Sequence, residues 1–228
     1  MSRALVLSAG GMFGAWQAGV WSVLSLLFEP DLVVGASVGS LNGWAIASGC
    51  TPERLIADWR QPQVPANAIR QLYRDFQPRI RYALVLTEAP LFRSRVCEWP
   101  HVTERHLVAS CAVPPVLWPQ RIDGRWCADG GILTATPIQA AWDLGATEVL
   151  ALNAMAGYRF GLPNRPAPGQ ECGQAIVELR PSATLGGTLD MLRWNEPCVR
   201  RCIQLGAEDA RTAAAEEKHF FAHCLERE

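Results

Sequence analysis

The stretch Val33-Val34-Gly35-Ala36-Ser37-Val38-Gly39-Ser40-Leu41-Asn42-Gly43 constrains this chain more than any other. A short β-branched run, Leu32-Val33-Val34, stops at small residues, and an apolar helical pattern from Leu41 to Ala47 follows. Gly35, Ser37 and Gly39 spell G-x-S-x-G, the pattern in which a strand turns sharply into a helix with the serine held outward at the apex. Bulkier side chains two positions either side of the serine would crowd that turn. The helix behind it aims free N–H groups and the positive end of its dipole at the apex. A serine so placed suits a nucleophile.

A second unit of the same kind comes earlier. Leu5-Val6-Leu7-Ser8 reads as a buried strand, Ala9 to Gly14 as a glycine loop, and Ala15 to about Leu27 as a helix. Such a loop offers successive unblocked N–H groups to an anion, either a phosphate or the oxyanion of an acyl-transfer intermediate. It departs from the dinucleotide fingerprint, because Ala9 takes the first glycine position and no clear acid ends the next strand. In a parallel sheet two βα turns open on the same edge, so the donors of the first loop can face the serine of the second.

The rest of the chain continues the alternation of strand and helix. Thr51 caps a helix over Pro52–Trp59, and a second helix is expected from Ala66 to Phe76. Together, residues 51–79 make the candidate cap over the site. Strands are expected at Arg81–Thr87 and Leu91–Cys97, joined by a turn at Glu88-Ala89-Pro90, then a helix from His101 to Cys111. Asp123-Gly124 sits between two alternating runs and signals a hairpin whose return strand delivers Asp129 into the turn Asp129-Gly130-Gly131. A helix at Pro137–Leu144, strands at Glu148–Asn153 and Ala175–Leu179, a loop at Tyr158–Glu171, and closing helices at Leu189–Leu205 and Asp209–Leu225 complete the pattern. The alternation points to an α/β fold with a parallel sheet.

Composition narrows the class. With 228 residues, 49% of them hydrophobic and 19% charged, the chain suffices for one sizeable core, and a single domain over residues 1–228 is expected. The formal charge of -1 is spread evenly, and paired basics such as Arg200-Arg201 are isolated, which argues against nucleic acid as a partner. No apolar run is long enough to span a bilayer, and the N-terminus enters a strand pattern at Arg3 without a cationic leader, so a cytoplasmic location is expected. Eight cysteines in such a chain read as reduced thiols; Cys198 and Cys202 lack two further ligands nearby, so no metal and no cofactor is expected.

A serine hydroxyl needs a base. Two arrangements are open. In one, the order nucleophile, acid, histidine is met by Ser37, Asp129 and either His219 or His223; His101 and His106 lie well before the hairpin. In the other, Asp129 is itself the base, which requires a water-poor site that raises its affinity for a proton.

Residues Leu7 to Val20 with their glycine loop, Gly35 to Gly43, Ala109-Ser110-Cys111-Ala112-Val113-Pro114, and Asp129-Gly130-Gly131 together resemble the patatin-like phospholipase family in order and separation. The resemblance covers nearly the whole chain. It implies a three-layer αβα fold with a mostly parallel central sheet, and a Ser-Asp dyad that hydrolyses acyl esters of lipids without histidine. By it Ser37 is the nucleophile and Asp129 the base. The backbone N–H groups of Gly10, Gly11 and Met12 form the oxyanion hole, and Gly14, Gly35, Gly39, Gly130 and Gly131 support the motifs. The implied partner is a lipid or other acyl ester, with transient contact at a membrane surface for which Trp16, Trp21, Trp59, Trp99 and Trp118 are candidate anchors.

Three positions depart from the family pattern. Ala9 replaces the first glycine of the loop, Phe13 its basic residue, and Ala135 an asparagine after Asp-Gly-Gly. The stretch between Asn42 and His101 is also short, which implies a small lid. These departures keep a non-catalytic acyl-binding or regulatory protein on the same fold as an alternative, beside a Ser-His-Asp thioesterase.

Overall fold

A computed structural model describes residues 2–61, 65–158 and 174–225. Its elements are β1 (Arg3–Leu7), α1 (Gly14–Leu24), β2 (Leu32–Ala36), α2 (Val38–Ala47), α3 (Pro52–Trp59), α4 (Pro65–Asp75), β3 (Arg81–Ala89), β4 (Arg93–Glu98) and α5 (Glu104–Ser110). There follow β5 (Gln120–Ile122), β6 (Arg125–Asp129), α6 (Ile138–Asp143), β7 (Glu148–Leu152), β8 (Ala175–Leu179), α7 (Thr188–Leu192), α8 (Glu196–Glu216) and α9 (Lys218–Leu225). Most of the proline- and glycine-rich loop expected at Tyr158–Glu171 lies outside the described residues.

The eight strands form one mixed sheet in the order β5-β6-β3-β2-β1-β7-β8, with β4 paired to β3. The parallel part is β3-β2-β1-β7-β8, where the sequence alternates strand and helix. The pairs β3-β4, β3-β6 and β5-β6 are antiparallel. The sheet is thus mostly parallel, as the sequence suggested, with five adjacent strands aligned; short turns at Pro90-Leu91 and Asp123-Gly124 reverse the chain and add antiparallel strands on one side.

The period of two along each strand divides the core. Leu5, Leu7, Val33, Leu84, Leu86, Leu150 and Leu152 join the larger cluster with residues of α1, α2 and α8. Ala4, Val6, Val34, Val85, Val149 and Ala151 face the other way, onto Ala140 and Ala141 of α6. Helices thus flank the sheet on both sides, with the heavier layer on the side of α1.

The closing helices correct the sequence reading. The chain breaks at Arg193-Trp194-Asn195, where Asn195 caps α8 by accepting from the Cys198 N–H, with Pro197 in the first turn. Helix α8 then runs unbroken through Gly206, which the sequence reading took as a break. Gly206 is helical because α1 passes so close that a Cβ there would lie 2.2 Å from the Trp16 carbonyl; Gly19 has the same relation to the Ile203 carbonyl. Helix α5 begins only at Glu104, since Thr103 and His106 form a capping box that fixes its start. Leu91 and Phe92 belong to the turn before β4, with Phe92 at φ 46.

Candidate active site

Strand β3 sets the site. Its residues Ala83–Glu88 pair with β4, which fills one edge. On the other edge β2 pairs along Arg81–Val85, and β6, arriving from the opposite direction, pairs along Leu86–Ala89. Strands β2 and β6 therefore meet end to end. Ala36 stands opposite Val85 and Asp129 opposite Leu86, so the residue after β2 and the last residue of β6 become neighbours. The Thr87 hydroxyl donates to the Asp129 carbonyl at 2.8 Å and fixes this junction.

At the junction the Ser37 hydroxyl donates to Oδ2 of Asp129 at 2.6 Å. Ser37 has φ 53 and ψ -128, a conformation L residues rarely adopt, so the turn itself holds its side chain outward. Glycines make that turn feasible. A Cβ on Gly35 would lie 2.4 Å from the Gly39 carbonyl, and one on Gly39 would lie 2.3 Å from the Leu7 carbonyl. Gly130 presses equally close to the Val85 carbonyl, which lets the chain cross over β3 directly after Asp129.

Asp129 is 2% exposed and Ser37 8%. Burial pushes the Asp129 carboxyl up to about 7, against the opposing pull of hydrogen bonds from Ser37 and from the Gly131 N–H, which donates to Oδ1 at 2.7 Å. The carboxylate is thus tuned to exchange a proton near neutrality, with both oxygens already engaged. Of the histidines, His219 and His101 are exposed. The His106 ring is turned to Thr103, where Nδ1 accepts from the backbone N–H, and the His223 side chain lies outside the described residues.

The glycine loop borders the same cavity. A 3-10 turn at Gly11–Phe13 closes with the Phe13 N–H donating to the Gly10 carbonyl, which leaves the N–H groups of Gly10, Gly11 and Met12 ahead of that first bond. Gly10 has φ 153 and Gly11 φ 52, and a Cβ on Gly11 would lie 2.2 Å from the Met191 carbonyl of α7. Gly14 is pressed against Val38 and the Trp59 ring. Residues Gly10, Gly11, Met12, Ser37 and Asp129 all line one cavity of about 320 Å³. Helices α3 and α4 add Leu55, Trp59, Ile69 and Leu72 to its walls.

A buried polar chain ties these parts together. Trp59 Nε1 donates to Asn42 Oδ1 at 2.9 Å, and Asn42 Nδ2 donates to the Gly14 carbonyl and to Gln17 Oε1, both at 3.0 Å. Gln17 Nε2 in turn donates to the Ser8 carbonyl at 2.8 Å. One side chain, Asn42, thus links α3, the helix that follows Ser37 and the glycine loop. Sequence reasoning quoted Asn42 within the motif but gave it no role. The signal was available: α2 is apolar nearly all round, so an amide in its middle has to be satisfied by partners. Cys111 was missed as well. It lines the cavity beside Ser37 and Asp129, and burial holds its thiol protonated.

Phe13, at the loop's expected basic position, is fully buried and packs on Tyr158 with ring centroids 5.1 Å apart. Ala135 is buried, and its carbonyl accepts from the Ala9 N–H at 2.7 Å. Both departures therefore carry packing and backbone contacts that hold the glycine loop.

The model for the patatin-like phospholipases matches residues 5–98 and 103–142, more than half of the chain and all of the junction just described. The chain belongs to the patatin-like phospholipase family. Among solved structures, VipD from Legionella pneumophila matches with a TM-score of 0.58 at 12% identity over 94% of this chain and 67% of its own. The type III effector protein ExoU matches with a TM-score of 0.51 at 11% identity over 94% of this chain. This patatin-like chain spans about half the length of ExoU, 53%. At these identities the likeness is one of fold.

Proposed function

We propose that this protein is a serine hydrolase of lipid acyl esters, with Ser37 as nucleophile and Asp129 as its base. The observation that carries the reading is the 2.6 Å hydrogen bond from Ser37 to a buried carboxylate whose proton affinity is raised to about 7. Membership of a phospholipase family and the apolar cavity beside the serine support it.

In the first half of the reaction Ser37 Oγ attacks the ester carbonyl while its proton passes to Asp129 Oδ2. The negative charge that develops on the carbonyl oxygen is taken up by the N–H groups of Gly10, Gly11 and Met12 and by the amino end of α2. Asp129 then returns the proton to the departing alcohol, leaving the acyl group on Ser37. In the second half a water gives a proton to Asp129 and attacks the acyl carbon. Collapse of that intermediate frees the fatty acid, and Ser37 recovers its proton. The acyl chain occupies the cavity walled by Leu55, Ile69 and Leu72.

The test is a series of p-nitrophenyl esters and lysophospholipids given to the wild type, Ser37→Ala, Asp129→Asn, His219→Ala and His223→Ala. Turnover by the wild type and both histidine variants, with at least about a 10³-fold loss in the other two, is expected. Turnover retained by Ser37→Ala, or lost in a histidine variant that folds, overturns the assignment.

A further inference from the structure

Apart from Leu26, between α1 and β2, and Val96, within β4, the large apolar side chains that the described residues expose gather at the carboxyl edge of the sheet, where the cavity lies. Past the end of β2, the β5-β6 hairpin and the β3-β4 turn project together, since Trp126 stands opposite Ala89 at the end of β3. This projection carries Leu91, Phe92 and Trp126, which are 61%, 64% and 56% exposed. Trp118, 69% exposed, leads into β5, two residues after Val116, which is both exposed and part of the cavity wall. Across the cavity, Leu192 of α7 is likewise exposed and part of the wall, and Leu189, one turn before it, is 81% exposed. The cavity therefore has an apolar rim on two sides.

The projection is also basic. Arg93, Arg95, Arg121 and Arg125 stand on it against two carboxylates, Glu88 and Asp123. Glu88 is buried and paired with Arg125, Asp123 is paired with Arg95, and Arg93 and Arg121 are exposed. Tryptophans and a phenylalanine among exposed arginines match the chemistry of an anionic bilayer surface, where indole rings settle at headgroup depth and guanidinium groups meet phosphates.

We propose that this edge, centred on Phe92, Trp118 and Trp126 and flanked by Arg93 and Arg121, docks the protein on bilayers that contain anionic phospholipid, with the cavity opening toward the lipid. The inference rests on the lipid-hydrolase reading for its purpose but not for its test. It also moves the anchors. Of the five tryptophans singled out from the sequence, Trp16 and Trp21 are buried in the core and Trp59 and Trp99 are half-buried, so Trp118 alone stays an anchor, and Trp126 joins it.

The experiment is flotation of the full chain with phosphatidylcholine vesicles, with and without phosphatidylglycerol, alongside hydrolysis of a water-soluble p-nitrophenyl ester. The wild type and Ser37→Ala float with the anionic vesicles. The double variant Trp118→Ser/Trp126→Ser lowers partition at least about tenfold, because binding scales with the apolar area inserted. Arg93→Ser and Arg121→Ser each lower it about fivefold on anionic vesicles only. All of these variants except Ser37→Ala hydrolyse the soluble ester at the wild-type rate. Wild type that stays in the soluble fraction, or a tryptophan variant that floats as well as wild type, overturns the docking face and leaves the catalytic reading standing. A tryptophan variant that sediments as a monomer where wild type is a dimer assigns the face to a second copy instead, and also overturns it.

Discussion

Ser37 and Asp129, far apart in sequence, are hydrogen-bonded at 2.6 Å because their strands abut on consecutive residues of β3, Val85 and Leu86. The hydrogen-bonded pair is thus a property of the sheet rather than of a flexible loop. Three features hold it: the strained turn at Ser37, the close pass of Gly130 over Val85, and the bond from the Thr87 hydroxyl to the Asp129 carbonyl. Side chains positioned by strand register keep their geometry without substrate, which preorganises a site for the transition state.

The raised proton affinity of Asp129 fixes a pH dependence. Below about 7 the carboxyl is protonated and cannot accept the Ser37 proton, so kcat/KM for a soluble ester rises about tenfold per pH unit and levels off above that point. A rate profile between about pH 5 and about pH 9 checks this. A midpoint near the ordinary carboxylate value would mean that burial does not tune the base.

The same shift has a cost in stability. A carboxyl whose proton affinity is raised on folding stabilises the fold below its unfolded value of 3.8, and this contribution is lost as pH climbs toward about 7. At pH 8 the charged, buried Asp129 opposes folding by an amount on the order of 4 kcal/mol. Asp129→Asn, which carries no charge, should melt above the wild type at pH 8, and the difference should shrink toward pH 4. Thermal denaturation at the two pH values reads this directly.

Gly39→Ala is expected to cost more than about 3 kcal/mol, since its Cβ would press on the Leu7 and Ser8 carbonyls, neither of which can move without breaking β1 from its loop. Gly124→Ala meets no atom within 4 Å and differs only in adopting φ 80, so it should cost about 1 kcal/mol. Urea denaturation of the pair separates crowding from backbone strain.

Asn42→Ala leaves the Trp59 indole N–H, the Gly14 carbonyl and Gln17 without their partner. A loss of about 2–4 kcal/mol in stability is expected, with kcat falling because the glycine loop and the Ser37 helix lose their link. Trp59→Phe breaks only one of these bonds and should cost about 1 kcal/mol. Denaturation and steady-state kinetics on both variants check the ordering.

Phe13→Arg tests what the departure at the loop means. Phe13 lies under Tyr158 and against Gly186, so an arginine there would bury an unpaired charge. Restoring the family's basic residue should therefore unfold or strongly destabilise this chain rather than improve it, by more than about 3 kcal/mol. A stable, more active Phe13→Arg would show that the loop can turn outward.

Both βα turns, their glycines and the hairpin that ends at Asp129 were legible because each depends on local chemistry: a β-branched run, small residues, Asp-Gly between alternating strands. The pairing of β6 with the upper half of β3 was not, since register between distant strands leaves no local pattern. The continuity through Gly206 was hidden for the same reason, whereas the break at Asn195 had a local signal that the sequence reading passed over, an asparagine cap with Pro197 in the first turn. Only the approach of α1 explains why a glycine belongs inside α8. Ala9, Phe13 and Ala135 read as missing groups in sequence, whereas in the fold Phe13 packs on Tyr158 and Ala135 accepts the Ala9 N–H.

The most direct test of the central claim is peptide mass spectrometry after reaction with a fluorophosphonate, run on the wild type and Asp129→Asn at several pH values. The account predicts one adduct, on Ser37, forming faster as pH rises through about 7 in the wild type and not forming in Asp129→Asn. An adduct on Cys111 or any other residue, or labelling of Asp129→Asn at the wild-type rate, would contradict it.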